Sequence, residues 1–434
     1  MNILHYSLGL PPYRSGGLTK YSIDLMEKQA ERENIFLLFP GKLNLFKREV
    51  KIKKYKLYKN IKTFEVVNPQ GIPLIGGISN IKYYTKNTDI EIFRKFLTEN
   101  KIEVLHIHTL MGLYKELLEA AKLLNIKILY TTHDYYGLAP NPNFLAVNNE
   151  IKIGRNFKDF NELNIDCSSY KKMYILQSRI YRFLKDKDVI SKIKKMKGRF
   201  KNNNIEELHS KTNFIEKEYK ILKKYFDNLL DLIDIYLFNS SVTEEIFREF
   251  LEGIEGQVLS ISHSNIKDNR EKKFFGETLK ISYMGPFKTY KGFGELLQIA
   301  EDFRELDIKF SFYGDYYSGD TTNLENCCFK GKYNYNDLNK IMRETDLLVV
   351  PSVWKETFGF IAAEASSYGV PCLVTENVGA KDVVSGIVSN DIKREILRIF
   401  KNRKILEEIN EINLNSDFNM DFNEHVSKVL KLYK

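Results

Sequence analysis

Short apolar runs alternate along the chain with stretches in which apolar positions recur every three or four residues. The runs Asn2–Ser7, Asn34–Phe39, Val104–His108, Lys127–Thr131 and Ile235–Phe238 read as strands in the first part, and Lys280–Tyr283, Lys309–Tyr313, Asp346–Val350 and Pro371–Val374 in the second. Helical periodicity falls between them, as at Leu113–Leu124, Phe293–Phe303 and Asn336–Glu344. Strands that are apolar throughout, alternating with amphipathic helices, predict βαβ units whose parallel sheets are covered on both faces. Two such series predict an α/β chain of two Rossmann-like domains.

The pattern breaks around Ser262–Glu277, read as the hinge between domains, where the charged run Lys267–Lys273 precedes a new strand–loop–helix unit. This places a first domain at residues 1–263 and a second at 264–417. Within the first, the strand signal vanishes from about Phe157 to Tyr225, and long basic helical patterns such as Met173–Lys187 and Glu206–Phe226 predict a helical insertion. Near the end, Val426, Val429, Leu430 and Leu432 form an apolar stripe on a predicted helix Phe422–Tyr433. The segment 418–434 that carries it is expected to pack back on the first domain.

A length of 434 residues exceeds what one hydrophobic core usually organises, in keeping with two domains. At 43% hydrophobic and 28% charged residues the chain falls outside the disordered class. It shows no apolar stretch of the roughly 18 residues that a membrane span requires, and MNILHYSLGL reads as a first strand rather than a secretion signal. Cys167, Cys327, Cys328 and Cys372 lack metal-ligand spacing, and so few thiols suit a reducing, cytoplasmic setting.

The net charge of +9 is uneven: Ile151–Phe200 holds 14 Lys+Arg against 5 Asp+Glu, and Lys42–Lys62 holds 9 against 1. Such patches attract anionic lipid, nucleic acid or phosphorylated substrates, or else form a solvated lysine-rich surface.

In open parallel sheets ligands bind beyond the carboxyl ends of the strands. Four loops there carry candidate chemistry. Ser15-Gly16-Gly17 lets backbone approach a ligand at a helix start, or is a tight β–α turn. Gly285-Pro286-Phe287-Lys288-Thr289-Tyr290-Lys291-Gly292 sets two lysines where they can neutralise a leaving diphosphate, Lys291 the better placed; the alternative is solvated loop lysines. Val350 through Glu364 includes Glu356 and Glu364, which can accept hydrogen bonds from sugar and ribose hydroxyls, or serve as a helix-capping acid and a surface glutamate. Tyr130 through Pro140 carries His133, Asp134 and two tyrosines at a strand end. His106 and His108 close another strand, as structural or functional histidines. The triplet Asp186-Lys187-Asp188 lies in a lysine-rich helical pattern and reads as surface charge.

Taken together these residues resemble the GT-B glycosyltransferases, specifically the retaining family numbered 4. Glu356-Thr357-Phe358-Gly359 through Glu364-Ala365, then Gly369-Val370-Pro371, is similar to that family's E-x-F-G-(x)4-E-A signature and the following G-x-P. Val104-Leu105-His106-Ile107-His108 resembles its His-x-His strand, Gly16-Gly17 its first-domain glycine pair, and His133-Asp134-Tyr135 the loop whose histidine lies beside the donor sugar. Gly379 and Asp382 resemble part of a later loop. The resemblance covers most of the chain outside about Phe157–Tyr225. It departs where the family carries an arginine after the glycine matching Gly285; here stands Pro286, and Lys288 is the nearest substitute.

The resemblance implies a metal-independent hexosyltransferase with no cofactor beyond its nucleotide-sugar co-substrate, UDP-sugar favoured. The acceptor would be a glycan, lipid-linked or protein hydroxyl, in cell-surface polysaccharide or glycoconjugate synthesis. It implies catalytic roles for His133, Lys291 and Glu356. Donor contacts would come from Gly16, Gly17, Gly285, Lys288, Lys291, Glu356, Phe358, Gly359, Phe360 and Glu364, with no metal ligand. The basic patches would bring the enzyme to the inner face of a membrane through its anionic surface. Two rivals are a nucleotide-sugar epimerase on a similar frame and a basic nucleic-acid-binding protein. The second lacks interleaved aromatic and basic motifs, and its paired glutamates would repel phosphates.

Overall fold

The nine apolar runs form parallel strands of two separate sheets in a computed structural model, which describes residues 1–44, 48–73, 76–145, 156–187 and 213–434. The first sheet contains β1 (Asn2–Tyr6), β2 (Asn34–Pro40), β3 (Lys51–Lys54), β4 (Lys62–Val67), β5 (Val104–Ile107), β6 (Lys127–Thr132), β7 (Ile235–Phe238) and β8 (Gly256–Val258). Its order is β3-β4-β2-β1-β5-β6-β7-β8, and every pairing is parallel except β3 with β4. The second sheet contains β9 (Leu279–Met284), β10 (Ile308–Tyr313), β11 (Cys327–Gly331), β12 (Leu347–Val350), β13 (Cys372–Val374) and β14 (Gly386–Val388). It runs β11-β10-β9-β12-β13-β14, wholly parallel.

Strand order explains where function is to be sought. Each sheet grows outward in one direction from its first strand, then reverses. The reversal leaves a crevice between β1 and β5 in one sheet and between β9 and β12 in the other. Central strands such as β5 and β12 are buried along their full length, the burial expected of strands covered on both sides.

Sequence reading missed the edges. The lysine-rich β3 pairs antiparallel with β4 and is largely exposed, so part of the Lys42–Lys62 basic patch is a solvated edge strand whose lysines discourage further pairing. The pattern Met173–Lys187 reads as one helix but is two, Tyr170–Leu176 and Arg179–Asp186. Ser178 separates them, because its hydroxyl donates to the Ile175 carbonyl and accepts from the Tyr181 N–H, capping the second helix. Much of the other basic segment, and residues 206–212 and Asp188 of the patterns named above, lie outside the described residues.

The helix Phe422–Tyr433 docks on the first sheet rather than on the second. Val426, Val429 and Tyr433 share a core with Ile3, Met26 and Val104. Polar bonds fix its register: the Tyr433 hydroxyl lies 2.6 Å from His106 Nδ1 and accepts from Gln29 Nε2 at 3.1 Å, while His425 Nε2 lies 2.8 Å from the Tyr21 hydroxyl. Tyr433→Phe leaves two buried polar partners unsatisfied, so it is expected to lower unfolding free energy by about 1–3 kcal/mol. Chemical denaturation checks this, and an unchanged midpoint would mean that apolar contact alone docks the helix.

Candidate functional site

The crevice of the second sheet is built from the loops that follow β9 and β12. They touch. Gly292 adopts φ +72°, and a Cβ there would lie 1.8 Å from the Pro351 carbonyl oxygen, so only glycine permits the approach. Val353 and Trp354 N–H groups then donate to the Tyr290 carbonyl at 3.0 and 3.2 Å. Gly292→Ala faces both backbone strain and a collision with main chain that has no flexible end to yield. The expected cost is about 3 kcal/mol or more, read as a lower melting temperature with donor binding weakened in parallel.

This contact brings Lys291 onto Glu356. Lys291 Nζ donates to Glu356 Oε1 at 2.6 Å, and Ser352 Oγ donates to Glu356 Oε2, also at 2.6 Å. The Lys291 ammonium sits 4.8 Å from the centre of the Trp354 ring. Only 20% of the Lys291 side chain and 13% of the Glu356 side chain remain exposed, so both charges are largely shielded from water and interact more strongly than a surface pair. The Glu356 backbone is pinned by bonds to the Asn377 carbonyl and from the Gly379 N–H.

Glu364 lies on the helix Phe360–Ser366, which follows Gly359 at φ +91°. Its Oε1 is 3.0 Å from His263 Nε2 and accepts a short hydrogen bond from the Tyr335 hydroxyl. Sequence reasoning did not single out His263 or Tyr335 as partners, because they come from the hinge and from the turn Tyr335–Asp337. Phe360 packs edge-on to His263, and a Cβ on Gly17 would meet its ring at 3.3 Å. Phe358 is buried in the core shared with the first domain. Gly16, at φ +114°, has open space around it. Gly285 accepts the close approach of Gly314, whose Cβ would lie 2.0 Å from the Gly285 carbonyl oxygen. Lys288 begins the turn that leads to Lys291.

The His133 loop reaches the same place from the first domain. Thr357 Oγ1 donates to the His133 carbonyl at 3.2 Å, and the Tyr135 hydroxyl donates to the Lys355 carbonyl at 2.9 Å. Beside these contacts Ser240 Oγ donates to the Thr357 carbonyl, and Asp382 accepts from both the N–H and the hydroxyl of Ser241. The structure therefore assembles Lys291, Glu356 and the His133 loop at one interdomain seam. His133 retains partial exposure as a residue, but its Nε2 is buried and has no hydrogen-bond partner. Burial pushes its pKa down to about 3, with His425 adding to the effect, so the imidazole is neutral near pH 7. Burial also pushes the neighbouring Asp134 carboxyl up to about 7, against hydrogen bonds from the Tyr136 N–H and Thr109.

Among the described residues, one trio could surround an ion: His5, His106 and His108, whose ring nitrogens lie within 4.8 Å of one another. All three are fully buried beneath the first crevice. Their nitrogens bond to each other or to protein groups: His5 Nδ1 to His108 Nε2 at 3.0 Å, His5 Nε2 to Gln29 at 2.8 Å, and His106 to Tyr433 and Thr131. His108 Nδ1 alone has no partner. This arrangement favours the structural reading of His106 and His108. A separate recess, lined by Asp24, Glu27, Lys59, Ser264 and Asp421, lies between the helix Gly17–Gln29, the hinge and the last helix.

Comparisons with known proteins agree with this architecture. Residues 265–424, which span the second sheet and its loops, match the family model described as glycosyl transferases group 1. An "uncharacterized 41.2 kDa protein in cps region" of Klebsiella pneumoniae is 30% identical over 122 residues, 28% of this chain and 34% of that protein's length. Among solved structures, a glycosyltransferase from Rickettsia africae aligns with TM-score 0.58 at 14% identity, covering 100% of this chain and 97% of that one. Sucrose-phosphate synthase from Thermosynechococcus elongatus aligns at 0.55 with 15% identity over 100% and 98%. Anabaena Alr3699/HepE in complex with UDP-glucose aligns at 0.52 with 12% identity over 100% of both chains. The likeness to these structures establishes the fold, GT-B, with two Rossmann-like domains.

Proposed function

We propose, from the match of residues 265–424 to the group 1 glycosyl transferase model, that the chain moves a hexose from a nucleotide sugar to a hydroxyl acceptor with retention of anomeric configuration and without a metal. The observation that carries this reading is the Lys291–Glu356 pair, held by Ser352 and Trp354 at the crevice of the second sheet. A lysine in that position neutralises charge as it develops on a departing diphosphate, and a carboxylate whose backbone is fixed orients sugar hydroxyls. On donor binding the ammonium exchanges a protein carboxylate for phosphate oxygens and frees Glu356 for the sugar. Lys288 adds charge in the place that Pro286 leaves without any, and Glu364 holds the ribose once His263 and Tyr335 yield it.

His133 stays neutral under this scheme and so acts as a hydrogen-bond partner of the donor sugar rather than as an acid. UDP is the favoured carrier, a reading supported by the UDP-glucose complex of a protein with the same fold. The cps region of the Klebsiella relative supports a role in surface polysaccharide synthesis. No described helix is long and apolar enough to cross a membrane. We place the enzyme at the cytoplasmic membrane surface through its lysine-rich segments, with a glycan, lipid-linked or protein acceptor and no nucleic acid.

The test is a melting-temperature screen against UDP- and GDP-sugars, followed by transfer to a model acceptor with the anomeric proton read by NMR. One UDP-sugar should raise the melting temperature and its anomeric configuration should persist in the product. An inverted product would refute retention, and the absence of any sugar-nucleotide shift would refute the donor assignment.

A further inference from the structure

On the first-domain side, the loop after β1 holds an imbalance of buried charge. Arg14 is only 7% exposed, stacks 4.5 Å from the centre of the Tyr13 ring, and has no accepting carboxylate or carbonyl for its guanidinium among the described residues. Arg182, from the helix Arg179–Asp186 in the insertion, approaches the same ring at 5.1 Å and is 6% exposed. Its Nη1 donates to Glu65 Oε2 at 2.8 Å, but its Nε and Nη2 are buried without a partner, as is Arg14 Nε. One turn further along, Lys185 Nζ donates to the Tyr13 carbonyl at 2.7 Å, and Tyr13 donates to the Leu176 carbonyl at 2.7 Å. Three cations thus surround one tyrosine, with Glu65 of β4 as the carboxylate that pairs with one of them.

Buried guanidinium donors without acceptors are costly, and a like-charged neighbour raises the cost. Burial and Arg182 both hold Arg14 below its ordinary pKa. An oxyanion would remove the imbalance, and the planar fork of arginine matches phosphate oxygens two at a time. The position also fits a ligand. Arg14 follows β1, and Arg182 lies 5.9 Å from the centre of the Phe39 ring near the end of β2, so the cations stand at the carboxyl ends of strands beside the first crevice.

We propose that Arg14 and Arg182, assisted by Lys185, bind a phosphate or diphosphate group carried by the acceptor. The oxyanion site stands on the geometry above; calling its ligand the acceptor rests on the glycosyltransferase reading. The helical insertion then supplies half of the acceptor site, which gives a use to its basic residues.

The experiment titrates inorganic pyrophosphate into the full chain with UDP present at saturation, following melting temperature for wild type and for Arg14→Met, which keeps the apolar stem. Wild type should show a saturable rise, and Arg14→Met should need at least tenfold more pyrophosphate for half the effect. Without pyrophosphate the variant should melt no lower than wild type, because an unpaired charge has gone; a structural arginine would give a drop. No rise in wild type, or an equal rise in the variant, overturns the site. If Arg14→Met weakens UDP instead, the group bound is the donor's diphosphate and the acceptor assignment fails. If UDP gives no shift while the pyrophosphate rise still depends on Arg14, the oxyanion site stands and the transferase reading falls.

Discussion

Lys291→Ala is expected to lower kcat/KM for the proposed sugar transfer by about 10²- to 10³-fold, because in that reaction it removes a positive charge preorganised where the leaving diphosphate gains negative charge. Glu356→Ala should cost a similar factor, chiefly through lost orientation of the sugar. The two residues touch at 2.6 Å, so their effects should not add. Lys291→Ala alone leaves a largely buried carboxylate without its partner, and the double variant relieves that penalty. The double variant should therefore be far less impaired than the product of the singles. Both singles should keep the wild-type circular dichroism spectrum. Steady-state kinetics on all four proteins checks this, and two singles with unchanged turnover would refute the site.

A loss of stability below neutral pH is the second large effect. His5, His106, His108, His133 and His425 are neutral, and burial holds each below 6.5: His5 and His133 at about 3, His425 at about 4, and the other two well below the ordinary value. In the unfolded chain each regains an ordinary pKa near 6.5 and takes up a proton as pH falls, so acid favours unfolding. From pH 8 to pH 5.5 the loss is about 1.4 kcal/mol per group. Asp134 opposes it, since its carboxyl, at about 7 when folded, takes up a proton in the native state first. It offsets about 2 kcal/mol over the same range. The net expectation is a first domain weaker by about 5 kcal/mol at pH 5.5, with the loss setting in as pH drops through 6.5. Denaturant titrations at the two pH values measure it, and equal stabilities would mean that the histidines are not neutral in the core.

The sheets were legible because central parallel strands are apolar throughout, and each of the nine apolar runs corresponds to a strand. Edge strands were not, and neither was the interior strand β4, whose Lys62, Thr63 and Glu65 interrupt its apolar residues. Lys51-Ile52-Lys53-Lys54 carries one apolar residue, and β8 and β14 have only three residues each. Their pairing is decided by the neighbouring strand rather than by their own composition.

In the candidate site, Lys291 and Glu356 were readable because each follows a strand and stands in a motif. Their mutual contact was not, since it depends on Gly292 meeting Pro351 across two loops. Arg14 gave no signal, and Arg182 only as one of the many cations of Ile151–Phe200. One sits in a loop and the other on a helix 168 positions later, and only burial shows that they are short of acceptors.

The most direct measurement is a crystal structure of the protein with UDP bound. The account predicts the diphosphate within hydrogen-bond distance of Lys291 Nζ, at the crevice between β9 and β12, with the ribose on Glu364 in place of Tyr335. A nucleotide seated elsewhere, such as the recess lined by Asp24, Glu27 and Asp421, with the Lys291–Glu356 pair untouched, would contradict it.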